Sequence, residues 1–342
     1  MTSSSGKPRP RIAVDAMGGD NAPEEIVAGV LLAAAQDYAD LTLVGDQSRI
    51  RPLLVGPHVE RVSIVHAPDE VAMDQHASQA VRNHERSSLG VAVNMVRDKS
   101  ADAVVSAGNS GAFLAIALIR LRTIEGIARP AIATVLPAMR GPSVMLDAGA
   151  NVDCRPEWLA QFGIMGSAYA RAVLRIDNPR VAILSVGEER TKGNALTIEA
   201  AKLLDAAPVN FIGNIEGKDV VTNAADVIVA DGFVGNVVLK VSEGLISGLG
   251  DVIADSISKG NVITKIGAFL MLPALRKLGK KYAYETYGGA PLLGLRGNCI
   301  VTHGRANRTA IASAIRAAAD ESGADVVGKI QALVAPHLAR EA

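Results

Sequence analysis

The chain has 342 residues, of which 49% are hydrophobic and only 3% aromatic, so it can bury a large core of mainly Ala, Val, Leu and Ile. Such an aliphatic core is typical of buried parallel strands covered by helices. The 35 basic residues balance the 35 acidic ones, which excludes the overall positive charge typical of nucleic-acid-binding proteins.

The first ten residues are polar and carry no apolar segment of a signal peptide, so we predict a disordered tail over residues 1–10 of a cytoplasmic protein. Two cysteines, Cys154 and Cys299, lie far apart without CxxC spacing and predict unpaired thiols in a reducing compartment. No uncharged run reaches 18 residues, so we expect no transmembrane helix.

Short apolar runs then alternate with helical patterns along residues 11–342. The runs are RIAVDA, LTLVGD, RVSIVHA, DAVVSAG, SVMLDAG, RVAILSVG, VNFIGNI and DVIVADG. Ala- and Leu-rich stretches at helical spacing lie between most of them, for example over residues 24–39 and 156–174. This alternation predicts βαβ units, a mostly parallel sheet and one α/β domain, because no Gly/Pro/Ser-rich linker divides the chain.

Small, polar, glycine-bearing loops follow six of these strands. They are DAMGGDNAP, SAGNSGA, DAGANVD, VGEERTKGN, GNIEGKD and ADGFVGN. In open α/β sheets ligands bind outside the carboxyl ends of the strands, so we expect the six loops to form one polar site at one edge.

The first of these loops has the composition of an anion site. Gly18 and Gly19 leave backbone N–H groups unobstructed by a Cβ atom, and Asn21 is positioned to cap a helix with Pro23 in its first turn. The positive end of that helix would face the edge of the sheet, and phosphate is the anion we expect there. Neither GxGxxG nor GxxxxGK[ST] follows, which disfavours a dinucleotide or a nucleoside triphosphate.

A second informative stretch, residues 261–282, is apolar with flanking basic residues. Pro273 interrupts it and predicts two short helices. Two interpretations stay open: a helical hairpin at a dimer contact, or an interfacial membrane anchor with Ile266, Phe269 and Leu270 facing lipid.

Nine blocks between residue 12 and about residue 320 resemble the bacterial phosphate acyltransferases, which make acyl-phosphate from acyl-[acyl carrier protein] on the way to phosphatidic acid. The blocks are AVDAMGGDNAP, SAGNSGA, LDAGANVD, QFGIMGSAYA, GEERTKGN, FIGNIEG, DGFVGNVVLK, YGGAPLLGLRG and HGRA. Two departures stand out: Ser110 replaces a more usual Thr, and the segment over residues 80–90 is less basic than is typical.

The resemblance implies a three-layer α/β/α sandwich with a Rossmann-like sheet, related to isocitrate dehydrogenases and phosphotransacetylases, with a protruding helical hairpin near residues 245–283. It implies a homodimer with peripheral membrane association and no metal or organic cofactor. The implied partners are acyl-[acyl carrier protein], inorganic phosphate, the membrane surface and a membrane glycerol-3-phosphate acyltransferase.

In this reaction inorganic phosphate attacks the thioester itself, so the protein must bind phosphate, orient it and stabilise an oxyanion. Lys192 is our candidate cation, which Glu188 would position; Asn109 and Ser110 are candidate donors, and His303 is a candidate proton donor to the thiolate. For Asp147 and the other aspartates at strand ends we favour a structural role, in which the carboxylate accepts hydrogen bonds from the backbone. The candidate binding residues are Asp15, Gly18, Gly19, Asn21, Gly108, Asn151, Glu188, Gly193, Asn194, Asn214, Asp231 and Asn236.

Three alternative functions stay open. They are a phosphotransacetylase that uses acyl-CoA, an NAD(P)-linked dehydrogenase of related fold, and a non-catalytic module that binds carrier protein or membrane. The remaining histidines, His58, His66, His76, His84 and His337, show no metal-ligand spacing, so we expect no metal site.

Overall fold

The strands of the computed structural model, which describes residues 8–82, 84–282 and 288–341, divide into two sheets. The predicted α/β class is confirmed, since the sheets are mostly parallel and helices cover them. Most of the predicted tail, residues 1–7, lies outside the described residues, whereas Arg9 forms an ion pair of 2.7 Å with Asp37.

The first sheet has seven strands in the order β3-β2-β1-β4-β12-β11-β5, of which β11 runs antiparallel to both neighbours. The chain order reverses between β1 and β4, and such a switch point is where α/β sheets form ligand crevices. The strands are β1 (Arg11–Asp15), β2 (Asp40–Gly45), β3 (Val62–His66), β4 (Ala103–Ser106), β5 (Ala131–Ile132), β11 (Ala290–Leu293) and β12 (Asn298–Val301).

The second sheet has five strands in the order β6-β7-β10-β8-β9, with β6 antiparallel at one edge. All eight strands expected from apolar runs are present. The expectation that the six loops share one edge is wrong, because two of them follow strands of the first sheet and four follow strands of the second. The strands are β6 (Thr134–Ala138), β7 (Gly141–Leu146), β8 (Arg180–Leu184), β9 (Asn210–Ile215) and β10 (Val227–Val229).

Helices cover both faces of each sheet. On the first sheet α1 and α10 share one buried apolar cluster, and α4 and α5 share another. On the second sheet α6, α7 and α11 cover one face, and α8 begins over the other. The helices are α1 (Glu24–Ala34), α2 (Gln47–Ile50), α3 (Ala77–Arg82), α4 (Ser88–Arg97), α5 (Ser110–Leu121), α6 (Pro156–Ala172), α7 (Ala195–Ala206), α8 (Gly232–Lys259), α9 (Val262–Tyr282), α10 (Arg308–Gly323) and α11 (Val326–Glu341).

Helices α8 and α9 form the predicted hairpin, joined by Gly260 and Asn261, and it begins earlier than expected. Only Gly232 and Gly235 of α8 are buried. The prediction of two short helices around Pro273 is wrong, because α9 continues through that residue. Proline removes one backbone donor, and the freed carbonyl belongs to the exposed Phe269, so no buried acceptor is left unpaired there. No helix within the described ranges is long and apolar enough to cross a membrane.

Glu321 is a buried acid on the inner face of α10. Its side chain is 2% exposed, its Oε2 atom has no hydrogen-bond partner, and burial raises the pKa of the carboxyl to about 8. The folded protein therefore binds a proton that the unfolded chain releases at lower pH, so this residue makes stability fall as pH rises from about 4.5 to about 8.

We expect Glu321→Gln, which mimics the protonated acid, to raise Tm at pH 9 by roughly 5 °C and to change it little at pH 4. Thermal unfolding followed by circular dichroism across this pH range measures the effect. The exposed Glu60→Gln variant is the control. Parallel Tm curves for Glu321→Gln and wild type would show that folding does not raise the pKa of this carboxyl.

Candidate active site

Asp15, at the carboxyl end of β1, is a buried organising group rather than a ligand contact. Its side chain is 2% exposed and accepts hydrogen bonds from Ser106 Oγ at 2.7 Å and from the Met17 N–H at 3.2 Å. The hydroxyl of Ser88 and the N–H of Gly18 also donate to it. Burial raises the pKa of this carboxyl, whereas these hydrogen bonds lower it. Because the side chain is buried, neither carboxyl oxygen is presented to a substrate.

The glycines near Asp15 serve close packing between loops. A Cβ atom on Gly18 would lie 2.4 Å from Asp15 Oδ2 and 2.9 Å from the Cα atom of Gly108. Gly19 has a φ of +112° and lies against Ala107 and the carbonyl of Gly304. The expectation that Gly18 offers its N–H to a ligand is not supported by this geometry, because the Gly18 N–H interacts with the buried Asp15 carboxylate.

Asn21 does not cap α1, contrary to the sequence interpretation. The helix begins at Glu24 with Pro23 in the cap position and no side-chain cap, and only the backbone carbonyl of Asn21 takes part, accepting from the Glu25 N–H. Its exposed side chain stays available to a ligand.

Asn109 uses its whole side chain inside the protein. Its Oδ1 accepts from the Ala112 N–H at 3.0 Å and caps α5, and its Nδ2 donates to the carbonyls of Met73 and Gln75, both at 2.9 Å. Its predicted role as an oxyanion donor is therefore not supported by its geometry. Ser110 follows as the first residue of α5 and is exposed, so its hydroxyl faces solvent.

His303 lies two residues beyond β12, exposed, and its Nδ1 accepts from the Arg305 N–H at 3.1 Å. In the neutral ring this bond places the proton on Nε2. Since Asp20 donates its N–H to the Gly304 carbonyl, the loops after β1, β4 and β12 form one group at the switch point of the first sheet.

Asp147, after β7, organises a second group and joins the two sheets. It is fully buried and accepts bonds from the N–H groups of Gly149, Ala150 and Asn151, and also from Asn151 Nδ2 at 2.9 Å. The N–H of Ile132, in the first sheet, donates to it at 2.9 Å. Burial raises the pKa of this carboxyl.

The other members of this second group have structural duties as well. Asn151 donates to the Pro130 carbonyl at 2.8 Å, and Asp231 caps α8 by accepting from the Val234 N–H at 2.8 Å. Asn236 packs over Gly149, whose φ of +132° favours glycine.

Lys192 lies in the third group, in the loop between β8 and α7. Its side chain is exposed, its stem packs on Gly187, and no carboxylate pairs with it among the described residues. Glu188, expected to position it, forms an ion pair of 3.2 Å with Lys218 instead. The ammonium of Lys192 therefore keeps its charge available for an anion.

The loop that carries Lys192 is held by its backbone. The Lys192 carbonyl accepts from Ser185 Oγ and from Asn214 Nδ2, each at 3.1 Å, and Asn194 caps α7 through the Thr197 N–H at 2.9 Å. Gly193 between them has a φ of +129°. In the described ranges no direct contact joins Lys192 to Asn109, so the sequence-predicted residues form three neighbouring groups rather than one.

Three serines were missed by the sequence reasoning. Ser106 and Ser88 both donate to Asp15, and Ser87 caps α4 by accepting from the Gly90 N–H at 3.1 Å. A serine at the end of a buried strand and a serine pair ahead of a helix were the available signals.

Neither cysteine is suited to nucleophilic attack. Cys299 is fully buried with its pKa raised by burial, and burial raises the pKa of the half-buried Cys154 to about 11. At neutral pH both thiols are protonated, and a protonated thiol is a poor nucleophile. No group of three or more potential metal-ligating side chains was found in the described part of the chain.

Solved structures share this α/β architecture. A phosphotransacetylase from Streptococcus pyogenes aligns with a TM-score of 0.63 over 94% of both chains at 15% identity. A 4-hydroxythreonine-4-phosphate dehydrogenase from Klebsiella pneumoniae aligns with a TM-score of 0.54 over 91% of this chain and 98% of its own, also at 15% identity. At this identity the likeness establishes the fold alone.

Sequence relatives identify the family. The model of the family described as "Fatty acid synthesis protein" matches residues 10–329. The phosphate acyltransferase of Pelotomaculum thermopropionicum is 50% identical over 309 residues, 90% of each chain, and that of Heliobacterium modesticaldum is 47% identical over 324 residues, 94% of this chain and 96% of its own. The chain belongs to this family, and it is an acyltransferase.

The two functions of Asn109 can be separated by substitution. Asn109→Asp keeps the cap oxygen but loses the donors to Met73 and Gln75, whereas Asn109→Ala loses both. We expect Asn109→Asp to raise hydrogen exchange over residues 69–76 while α5 stays protected, and Asn109→Ala to destabilise the protein by about 1 kcal/mol more through loss of the cap. Equal exchange in wild type and both variants would show that the bonds from Asn109 Nδ2 do not hold residues 69–76 in place.

Proposed function

We propose that the chain transfers the acyl group of an acyl-[acyl carrier protein] thioester to inorganic phosphate and forms acyl-phosphate. Membership of the phosphate acyltransferase family supports phosphate as the acceptor. The same membership favours acyl transfer over the dehydrogenase chemistry of a structural neighbour and over a non-catalytic module.

Direct attack of phosphate on the thioester is supported by the protonation and burial of the two thiols, Cys154 and Cys299. A covalent acyl-enzyme needs an activated nucleophile, and both thiols are protonated at neutral pH. Of the serines near the switch point, Ser106 donates a hydrogen bond to the buried Asp15, and among the described residues no base is hydrogen-bonded to the Ser110 hydroxyl to activate it. A phosphate oxygen is then the atom that bonds to the thioester carbon, and the C–S bond breaks as the tetrahedral oxyanion collapses.

The groups that serve this step differ in what they offer. The exposed Ser110 hydroxyl and the start of α5 offer donors to an anion, and Lys192 offers an unpaired positive charge in the described ranges. The thiolate that leaves takes up a proton, for which His303 is the candidate donor. Asn109, Asp15 and Asp147 hold these loops in place.

Acyl-phosphate formation should require both the thioester and phosphate. We expect it with acyl-[acyl carrier protein], measured as hydroxamate after trapping, and a lower kcat/KM with acyl-CoA of the same chain length. Equal or greater efficiency with acyl-CoA would favour the phosphotransacetylase-like alternative, for which the fold offers a precedent.

Lys192→Ala tests the cation in the same assay. We expect kcat to fall about 100-fold or more, because a charge that stabilises the oxyanion is lost, while Tm stays within a degree or two of wild type. Lys202→Ala is the matched control, since Lys202 is an exposed α7 lysine that pairs with Glu199 at 2.8 Å. Wild-type turnover in Lys192→Ala would remove the residue from the mechanism.

The hairpin also needs a partner. An exposed apolar row follows α8 at spacings of three or four residues and spans about 27 Å: Val234, Val237, Val241, Leu245, Leu249 and Val252. This pattern fits helix–helix packing, and we assign it to a second copy of the chain in a homodimer.

Helix α9 presents a separate apolar end. Phe269 and Leu270 are each 73% exposed and Ile266 is 56% exposed, with Lys265 beside them. The side chains of Arg276, Lys277, Lys280 and Lys281 lie outside those described. We assign this end to the surface of an anionic bilayer, where apolar burial and basic charge both stabilise attachment.

Two double variants separate these surfaces. We expect Phe269→Glu with Leu270→Glu to abolish co-sedimentation with anionic vesicles and to leave a dimer with activity in a vesicle-free assay. We expect Leu245→Glu with Leu249→Glu to give monomers in sedimentation velocity, because each copy would bury two charges. Loss of the dimer in the first variant would assign α9 to the dimer contact, and continued pelleting would place the anchor elsewhere.

A further inference from the structure

Beside the first site group lies a cavity of about 500 Å3 whose wall comes from the segment over residues 69–86. Gln75 lines it, and the Gln75 carbonyl accepts the bond from Asn109 Nδ2. The cavity is therefore fixed to the loop that starts α5, where we place the bound phosphate nucleophile. The two hydrogen bonds that join this segment to Asn109, through the carbonyls of Gln75 and Met73, both come from the same amide.

The charges of the cavity leave a positive balance. Asp69, Glu70, Glu85, Arg82 and Arg86 line it. Two of the three carboxylates are neutralised by arginines from outside the lining. Arg49 pairs with Glu70, and Arg120 pairs with Glu85, each at 2.9 Å.

Asp69 is then the one lining carboxylate left to balance the charges of Arg82 and Arg86. Arg86 reaches Asp69 only at 3.5 Å, and Arg82 has no carboxylate partner among the described residues. Both are exposed, and guanidinium groups favour phosphate because they donate two parallel hydrogen bonds to it.

The wall of this cavity is anchored at its far end as well. Arg120 of α5 donates to His84 Nε2 at 2.6 Å, and the Ser88 N–H donates to the Asp69 carbonyl. Ser88 in turn bonds to Asp15. A phosphate group bound between Arg82 and Arg86 would thus sit on a wall tied to the same loops that hold the reacting groups.

We propose that this cavity binds the phosphate group of the donor's phosphopantetheine arm and thereby positions the thioester. The inference rests on the proposed function, because it names how the thioester donor is recognised. Inorganic phosphate shares the same chemistry, and the two sources are distinguished by which substrate's KM responds.

The test compares two donors of one acyl chain, S-acyl phosphopantetheine and S-acyl pantetheine, in wild type, Arg82→Gln, Arg86→Gln and the double variant. We expect wild type to show a KM about tenfold or more lower for the phosphorylated donor, and the double variant to show nearly equal KM values. The KM for inorganic phosphate should change less than about twofold. Arg97→Gln, which removes an exposed arginine paired with Asp98, is the matched control.

A preserved donor ratio in the double variant overturns the proposal, as does a raised KM for inorganic phosphate with an unchanged donor ratio. Calorimetric titration with phosphopantetheine and with pantetheine tests binding without turnover. If wild type makes no acyl-phosphate from either donor, the proposed function fails, and the titration still decides the cavity: we expect phosphopantetheine to bind wild type at least tenfold more tightly than the double variant. Equal binding overturns the assignment.

Discussion

Two buried carboxylates, Asp15 and Asp147, set the geometry on which both sheets' loops depend. Each ends a strand and gathers donors: two backbone N–H groups and two serine hydroxyls at Asp15, four N–H groups and one amide at Asp147. A buried acceptor left without donors costs free energy, so the loops must fold to bring these donors inward. The glycines follow from this constraint, because the inward turn at Gly18 leaves no room for a Cβ atom.

This arrangement changes how an anion site is built here. The N–H groups closest to the strand ends donate to the buried carboxylates of Asp15 and Asp147. A carboxylate without such donors would repel phosphate. We propose that attraction comes from the next layer outward, where the exposed Ser110 begins α5 and Lys192 extends from its loop. The motifs with the most glycine therefore form the support, and we propose that the Ser110 hydroxyl, the Lys192 ammonium and the His303 imidazole contact substrate.

The sequence could predict the parts of the fold that follow from local pattern. Buried strands such as β4 and β10 are uninterrupted apolar runs, and Asn194 and Asp231 have the side chains that cap helices. The division into two sheets was not predictable in the same way, because β5 has only two residues and β11 pairs antiparallel with a distant segment. Such pairing is decided by tertiary contacts rather than by periodicity.

The second site group lies at a short reciprocal contact between the two sheets. The Ile132 N–H donates to the Asp147 carboxylate at 2.9 Å, and the Ala148 N–H donates back to the Ile132 carbonyl at 2.9 Å. Asp147 thus fixes the strand end of the second sheet against the last strand of the first. Any substrate that touches both Ser110 and Lys192 must bridge loops from different sheets, because Ser110 follows β4 and Lys192 follows β8. The relative placement of these two loops therefore depends on how the sheets are joined, which no single motif in the sequence encodes.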